Sequence, residues 1–589
     1  MATWSQTALG AKDRGDACPI RALSREMLEL IFEYVVHETS PPTLAALTLT
    51  SKAFYATVYP LKYRHQNFTF KEDMKDVRSK KSSEVLRRLL TDPAKEHILR
   101  SIRFISIKSI QKPGTLRVPT LYDRSYKESH ENIWFLMADL ISKLPHLKSF
   151  TLQGTDQLSI DLLNTLEKCH PQAHLHIRNW TRTEDDEDHT NSAEIALARS
   201  PNLKSLQARL SSTTSPIDLR QDALQRIVAI SPNLEILDIS QEPSNRMIRN
   251  TTMEEQQEQT WMREEFCKTI NGSSNSIRAL RSRGTHNITI LKDVIDMTNL
   301  HTLDVGYLNT SGDVESHTSI SQWQGNNFPY LRHFSFALND STSPEFYGFL
   351  SSFLQTCAPL ESLSIRDGAK YIPLSIISSH GATLRRLVLH EVESATSYFG
   401  WSISVRDVQR LSESCRVLED ITIDARKTSN GQGLNEILST LATFPLLHTI
   451  RIYIPLGVAE EAARTPHIFL DEYETSLEIE AHRKKPFNPI EDSCWLENAW
   501  SLLRHEKKKS GSTPVKELHV KVGEWEREMS GGYPAGWVIW EAANRRYFIA
   551  TPHERDDRPD DINMYIKGTK PYSYVNSHEI RRIPDFAGL

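Results

Sequence analysis

The chain has 589 residues, 25% of them charged and 39% hydrophobic, an ordinary globular composition long enough for about four domains or one array of repeats. Its net charge of −5 weighs against a general nucleic-acid binder or a polybasic membrane binder. No run of 18 apolar residues exists and the opening MATWSQTALGAKDRGDACPI lacks a signal-peptide core, so the protein is expected in the cytoplasm, the nucleus or both.

Residues 1–19 read as a flexible N-terminus. LSREMLELIFEYVV (23–36) follows as a helix with Ser24 as its N-cap. Met27, Leu28, Leu30, Ile31, Phe32, Tyr34, Val35 and Val36 leave it hardly any polar face, so it must be buried on more than one side. PPTLAALTLTSKAF (41–54) supplies a second helix with Leu44, Leu47, Leu49 and Phe54. LTLTSKAFYATVYPLKYR (47–64) carries the aromatics Phe54 and Tyr55 and is expected to stop at Pro60. A module this short is near the lower limit of independent stability and needs either the downstream chain or a partner.

Beyond it a strand pattern recurs, with apolar residues at the first, fourth and sixth positions. LKSFTL (147–152), LEILDI (234–239), LHTLDV (300–305), LRHFSF (331–336), LESLSI (360–365), LRRLVL (384–389), LEDITI (418–423) and LLHTIRI (446–452) share it. Weaker members are LRSIRF (99–104), LKSLQA (203–208), IRALRS (277–282) and VKELHV (515–520), with AHLHIRNW (173–180) as a further strand. Amphipathic helical stretches such as DALQRIVAISP and LNEILSTLATFP precede several strands and end at a Pro. Units of this kind bury their apolar faces only by stacking on one another. The expected fold class is therefore α/β, and the array resembles a leucine-rich-repeat solenoid, which implies parallel strands on the concave side and helices on the convex side, after a short N-terminal helical module.

The six cysteines (18, 169, 267, 357, 415, 494) form no C-x-x-C pair. Cys357 and Cys415 precede Leu360 and Leu418 by three residues, a slot held elsewhere by Phe328 and Phe444, and so read as small buried hydrophobes. Long insertions are expected as surface loops at 181–192, 241–261 and 460–493. The stretch 504–510, RHEKKKS, reads as a charged loop, with a nuclear import signal as the alternative. After residue 523 the repeat stops. GWVIWEAANRRYFIA (536–550) suggests two short strands, and 524–589 as a whole a cap.

Leu23, Glu26, Leu28, Ile31, Phe32, then Leu44, Leu47, Leu49, Ser51-Lys52 and Phe54, with the Pro-Leu-x-Tyr-Arg ending, resemble the F-box motif of fungal F-box/leucine-rich-repeat proteins. Ser24 departs from the Pro usual after the leading Leu, and Phe54 stands where many members carry Trp. The resemblance implies an F-box over 20–68, a leucine-rich-repeat solenoid over 69–523 and the cap over 524–589. It further implies a non-catalytic substrate receptor that binds a Skp-family adaptor and, through it, a cullin-RING ubiquitin ligase. By that resemblance Leu23, Leu28, Ile31, Phe32, Leu44 and Leu47 line the adaptor surface. A repeat scaffold serving a non-ubiquitin complex remains the alternative.

No phosphate-binding loop or nucleophile elbow is present, so no catalytic residue, metal or cofactor is expected. His174 and His176 share a strand face but have no third ligand at suitable spacing. The third, fifth and seventh strand positions oppose the buried ones. Seventh positions hold Arg178, Arg209, Arg283, Arg366 and Lys521, and fifth positions Arg281 and Arg451. His174, His176, Arg178, Arg209, Arg281 and Arg283 are thus candidates for holding a protein substrate that is acidic or phosphorylated. An ordinary mixed polar surface is the competing reading, since Asp238, Asp304, Asp420 and Asp424 share the same face.

Overall fold

The computed structural model describes residues 27–28, 31–32, 46, 49, 52–71, 77–110, 124–154, 158–181, 192–211, 219–242, 276–283, 291 and 294–308. It also describes 328–338, 344–391, 401–425, 432–455, 489–523, 546–552 and 562–568. Leu23, Leu44 and Leu47 lie outside these residues, as do nearly all of the three expected insertions. The chain divides into two compact units, Met1–Ala208 with Asp222–Asn233, and Arg209–Gln221 with Leu234–Leu589. The architecture is α/β.

In the first unit, Met27, Leu28, Ile31 and Phe32 are helical, and α1 covers Lys52–Tyr63. This helix passes through Pro60, which lacks the N–H that would reach the Ala56 carbonyl. It continues because Leu61, one residue on, packs on the cluster formed by Leu28, Phe32 and Val58. Strands β1 (His65–Lys71), β2 (Phe104–Ile110), β3 (Ser149–Gln153), β4 (His174–Trp180) and β5 (Leu203–Ser211) then pair in parallel, each with the next. Parallel neighbours need a crossover, and helices supply it. These are α2 (Val77–Thr91), α3 (Glu96–Ser101), α4 (Arg124–Lys143), α5 (Ile160–Cys169) and α6 (Ser192–Arg199). α7 (Leu219–Ile230) follows β5.

β1 went unnoticed in the sequence because Gln66 takes the place that Ile105 and Phe150 hold in the next two strands. The strand runs through residue 68, so the repeat sheet begins inside the segment expected to be the helical module alone. LRSIRF is also shifted: Leu99 belongs to α3, and Ile102, Ile105 and Ile107 are the buried set while Phe104 is only half-buried.

In the second unit β6 (Ile236–Glu242), β7 (Ala279–Arg283), β8 (Thr302–Leu308) and β9 (His333–Leu338) are parallel. β10 (Ser362–Arg366), β11 (Arg386–His390), β12 (Asp420–Asp424), β13 (Thr449–Ile454) and β14 (Glu517–Val522) continue the ladder. The recurrent pattern is the core: Leu360, Leu363 and Ile365 of one unit and Leu384, Leu387 and Leu389 of the next are all 0% exposed. The backbone repeats as well. The N–H groups of Glu361 and Ser362 both donate to the Arg332 carbonyl, those of Arg385 and Arg386 to Glu361, and those of Glu419 and Asp420 to Arg385. One carbonyl per repeat thus accepts two bonds and sets the strand spacing. α8 (Pro344–Thr356), α9 (Leu374–Ser379), α10 (Val405–Ser414), α11 (Gln432–Leu441) and α12 (Pro489–Ser510) pack in order.

Between helix and strand, buried side chains satisfy carbonyls of the preceding repeat. His170 Nε2 lies 2.9 Å from the Ile141 oxygen and His380 Nε2 3.0 Å from that of Leu354. Cys357 and Cys415 fill the slot assigned to them: burial pushes the Cys357 thiol up to about 12 and raises that of Cys415, so neither is a ready nucleophile.

RHEKKKS is not a loop but part of α12, and Lys507 is turned fully inward, donating to the Phe444 carbonyl at 2.5 Å. Burial lowers its ammonium from 10.5 to about 8. Between those values the unfolded chain holds the extra proton, so this group's contribution makes the fold more stable as pH rises. Relative to Lys507→Met, the natural chain is expected to gain roughly 3 kcal/mol between pH 7.5 and pH 10.5 in chemical denaturation. Parallel pH profiles for the two proteins would show that the charge is not buried in solution.

The array ends differently from its body. β15 (Arg546–Pro552) and β16 (Ile562–Gly568) add to β14 as antiparallel strands. Of the expected pair of strands in 536–550 only the second half appears, in β15, and its hairpin partner is β16. Residues 536–545 lie outside the described residues.

Candidate functional site

Two surfaces of the first unit concern the expected site residues. The first is the N-terminal module. Residues four apart share a helix face, and here two such pairs point in opposite directions. Leu28 and Phe32 turn inward, 9% and 5% exposed, against Val58, with Phe54 and Leu61 at the margin. Phe32 and Phe54 meet edge to face at 5.1 Å. Met27 and Ile31 turn outward, 49% and 42% exposed, and Leu49 and Tyr55 are exposed at 87% and 48%.

Of the expected surface residues that are described, Leu28 and Phe32 pack against Val58 within the module and Ile31 faces solvent. Met27, Leu49 and Tyr55 were not among the expected site residues. An apolar helix carries no sequence signal for which side faces out. Tyr55 is held in place by stacking at 4.8 Å on Tyr59, whose ring in turn meets that of Tyr63 at 4.9 Å with the planes tilted by 59°. The Tyr59 hydroxyl also meets His97 Nε2 of α3 at 3.1 Å, tying the module to the following repeat.

The second surface is the sheet face opposite the leucine core. Register places His65, Phe104, Ser149 and His174 in one row across β1–β4. Asn67, Ser106, Thr151 and His176 form the next, which Ser205 of β5 extends. Thr69, Lys108, Gln153 and Arg178 form the third. None of these positions holds Asp or Glu.

His174, His176 and Arg178 do come together, on β4. His176 Nδ1 lies 2.7 Å from Ser205 Oγ, and the two imidazoles stand edge to face at 6.2 Å. Burial first, then the neighbouring His174 and Arg178, holds His176 below its usual range, so it is neutral at pH 7. Among the described residues no three His, Cys, Asp or Glu side chains gather as a metal site. After Arg178 the strand bulges: Asn179 takes φ 65°, a conformation Asn tolerates better than most residues, and Trp180 returns to the core.

Arg209 is exposed and is the first residue of the second unit. Arg281 is exposed but aligned between Asp238 of β6 and Asp304 of β8, and Arg283 aligns with Ser240. His174, His176 and Arg178 thus lie together on β4, Arg209 on the strand β5 that pairs with it, and Arg281 and Arg283 on β7. Lys108, two strands from Arg178 in the same row, was hidden by the misread register at 99–104.

No protein-family model matches the chain, and neither does any curated protein.

Among the described residues no helix is long and apolar enough to cross a membrane.

Proposed function

We propose that this chain is an F-box/leucine-rich-repeat substrate receptor of an SCF-type ubiquitin ligase. Its N-terminal module binds a Skp-family adaptor, and its repeat solenoid holds a protein substrate. The observation that supports this most directly is the outward set Met27, Ile31, Leu49 and Tyr55 on a module whose inner side is already filled by Leu28, Phe32 and Val58. A small module that exposes large apolar residues after completing its own core has the makings of an interface. The ordered succession of parallel strands and packed helices agrees with a leucine-rich-repeat solenoid downstream of an F-box.

Met27→Asp/Ile31→Asp places two charges where an apolar partner would have to bury them, at several kcal/mol each. Capture of the adaptor and of cullin by the tagged full chain is expected to disappear, while circular dichroism and melting stay unchanged. Leu28→Asp, by contrast, is expected to unfold the module. Retained adaptor capture by the double variant would remove this reading. Adaptor without cullin would favour a scaffold outside ubiquitin transfer.

A further inference from the structure

The two units treat the charges on their sheet faces differently. In the second unit the described arginines and histidines on β11–β14 have carboxylate partners. Arg386 approaches Asp420 at 3.6 Å and Arg451 also contacts Asp420, while His390 meets Asp424 at 2.7 Å and His519 meets Glu517 at 3.1 Å. On β1–β4 of the first unit no carboxylate stands in the three outward rows among the described residues. Lys108 and Arg178 are exposed, and no ion pair to either occurs among the described residues.

The geometry points to the β1–β4 face as a docking site for an extended anionic segment of a partner protein. Lys108 and Arg178 stand two strands apart, about 10 Å at the usual strand spacing, with the Gln153 amide between them. Ser106, Ser149 and Thr151 supply neutral hydroxyl donors beside the two cations. Carboxylate or phosphate oxygens laid across the strands would meet donors in every row and a carboxylate in none. The fork of Arg178 suits either anion. A nucleic acid fits less well. The only described aromatic carbocycle on this face, Phe104, stacks on His65 at 4.4 Å with the planes 6° apart, so its near face is not open to a base.

This deepens the receptor reading by naming a substrate class, but its test does not pass through the adaptor. The full chain is titrated with three fluorescent peptides of one sequence, carrying phosphoserines, glutamates or glutamines, at low and high salt. Proteins compared are the natural chain, Lys108→Glu/Arg178→Glu, Lys108→Gln/Arg178→Gln, Arg281→Glu and Met27→Asp/Ile31→Asp. The expected result is salt-sensitive binding of an anionic peptide, weakened at least about tenfold by the charge reversal and less by the glutamines. Arg281→Glu and Met27→Asp/Ile31→Asp should bind as the natural chain does. Tighter binding of the phosphopeptide than of the glutamate peptide would assign the anion to phosphate, and equal binding to carboxylates. Should the charge reversal fail to fold by circular dichroism, the glutamine variant carries the comparison. The inference is overturned by absence of binding, by equal binding of the glutamine peptide, by unchanged affinity in both face variants, or by a single-stranded oligonucleotide that competes more tightly. Lost adaptor capture with retained peptide binding, or the reverse, separates the two proposals.

Discussion

Truncating Leu387 to alanine is expected to destabilise the second unit by about 2–5 kcal/mol, and Leu363→Ala by a similar amount. Both side chains are 0% exposed and lie side by side in the register of β10 and β11. Each removal deletes apolar burial and leaves a cavity that a strand pinned on both sides cannot collapse to fill. Repeats borrow stability from their neighbours, so protease sensitivity should spread to adjoining repeats and not stay at the mutated strand. Chemical denaturation of the full chain measures the loss, and limited proteolysis maps its extent. A change below about half a kcal/mol would mean that the strand register is wrong.

A smaller change of atoms should have an effect of the same order at Gly381. A Cβ built there would stand 2.3 Å from the carbonyl oxygen of Ser414 and 2.8 Å from its carbon. The obstacle is backbone, so no side-chain rotation relieves it, and α9 and α10 must move apart. That separation disturbs the buried neighbours Ile377 and Leu411. Gly381→Ala is expected to cost roughly 1–3 kcal/mol through overpacking. Gly348→Ala, inside α8 where a Cβ meets nothing within 4 Å, is the clash-free control and is expected to be neutral or stabilising by up to about 1 kcal/mol, since alanine suits a helix better than glycine. Equal denaturation midpoints for the two variants would show that the helices of neighbouring repeats are not packed as closely as described.

What was legible in the sequence follows from how burial is encoded. Leu363, Leu387, Ile421 and Ile450 announce themselves because the first, fourth and sixth positions face one core strand after strand, and a periodic demand leaves a periodic trace. β1 leaves none, since Gln66 takes the slot that an apolar residue fills elsewhere. Lys507 could not be picked out of the run 507–509, because three like charges look alike until a helix turns one of them inward. The site suffers from the same limits. Leu28 and Ile31 are equally apolar, and only the position of Val58 decides which one faces the core. Likewise Arg178 and Arg281 occupy comparable outward strand positions. What differs is the row across the sheet, where Arg178 has Gln153 beside it and Arg281 has Asp238 and Asp304, and that depends on pairing across distant segments.

The reversal at β15 bears on how the molecule behaves in a crowded solution. A stack of like-directed strands has no intrinsic last member, because the free edge of each strand is a template for another of the same direction. β14 would present such an edge with Leu518 and Val520 beneath it, and any chain with a compatible strand could extend the stack. By running the other way, β15 occupies that template with a strand whose own free edge no longer matches the repeat, and β16 moves the edge one step further from the leucine-lined core. The two antiparallel strands thus cover the edge that β14 would otherwise present. Their loss would leave the β14 edge open, and a chain lacking β15 and β16 is expected to associate edge to edge, which sedimentation would reveal.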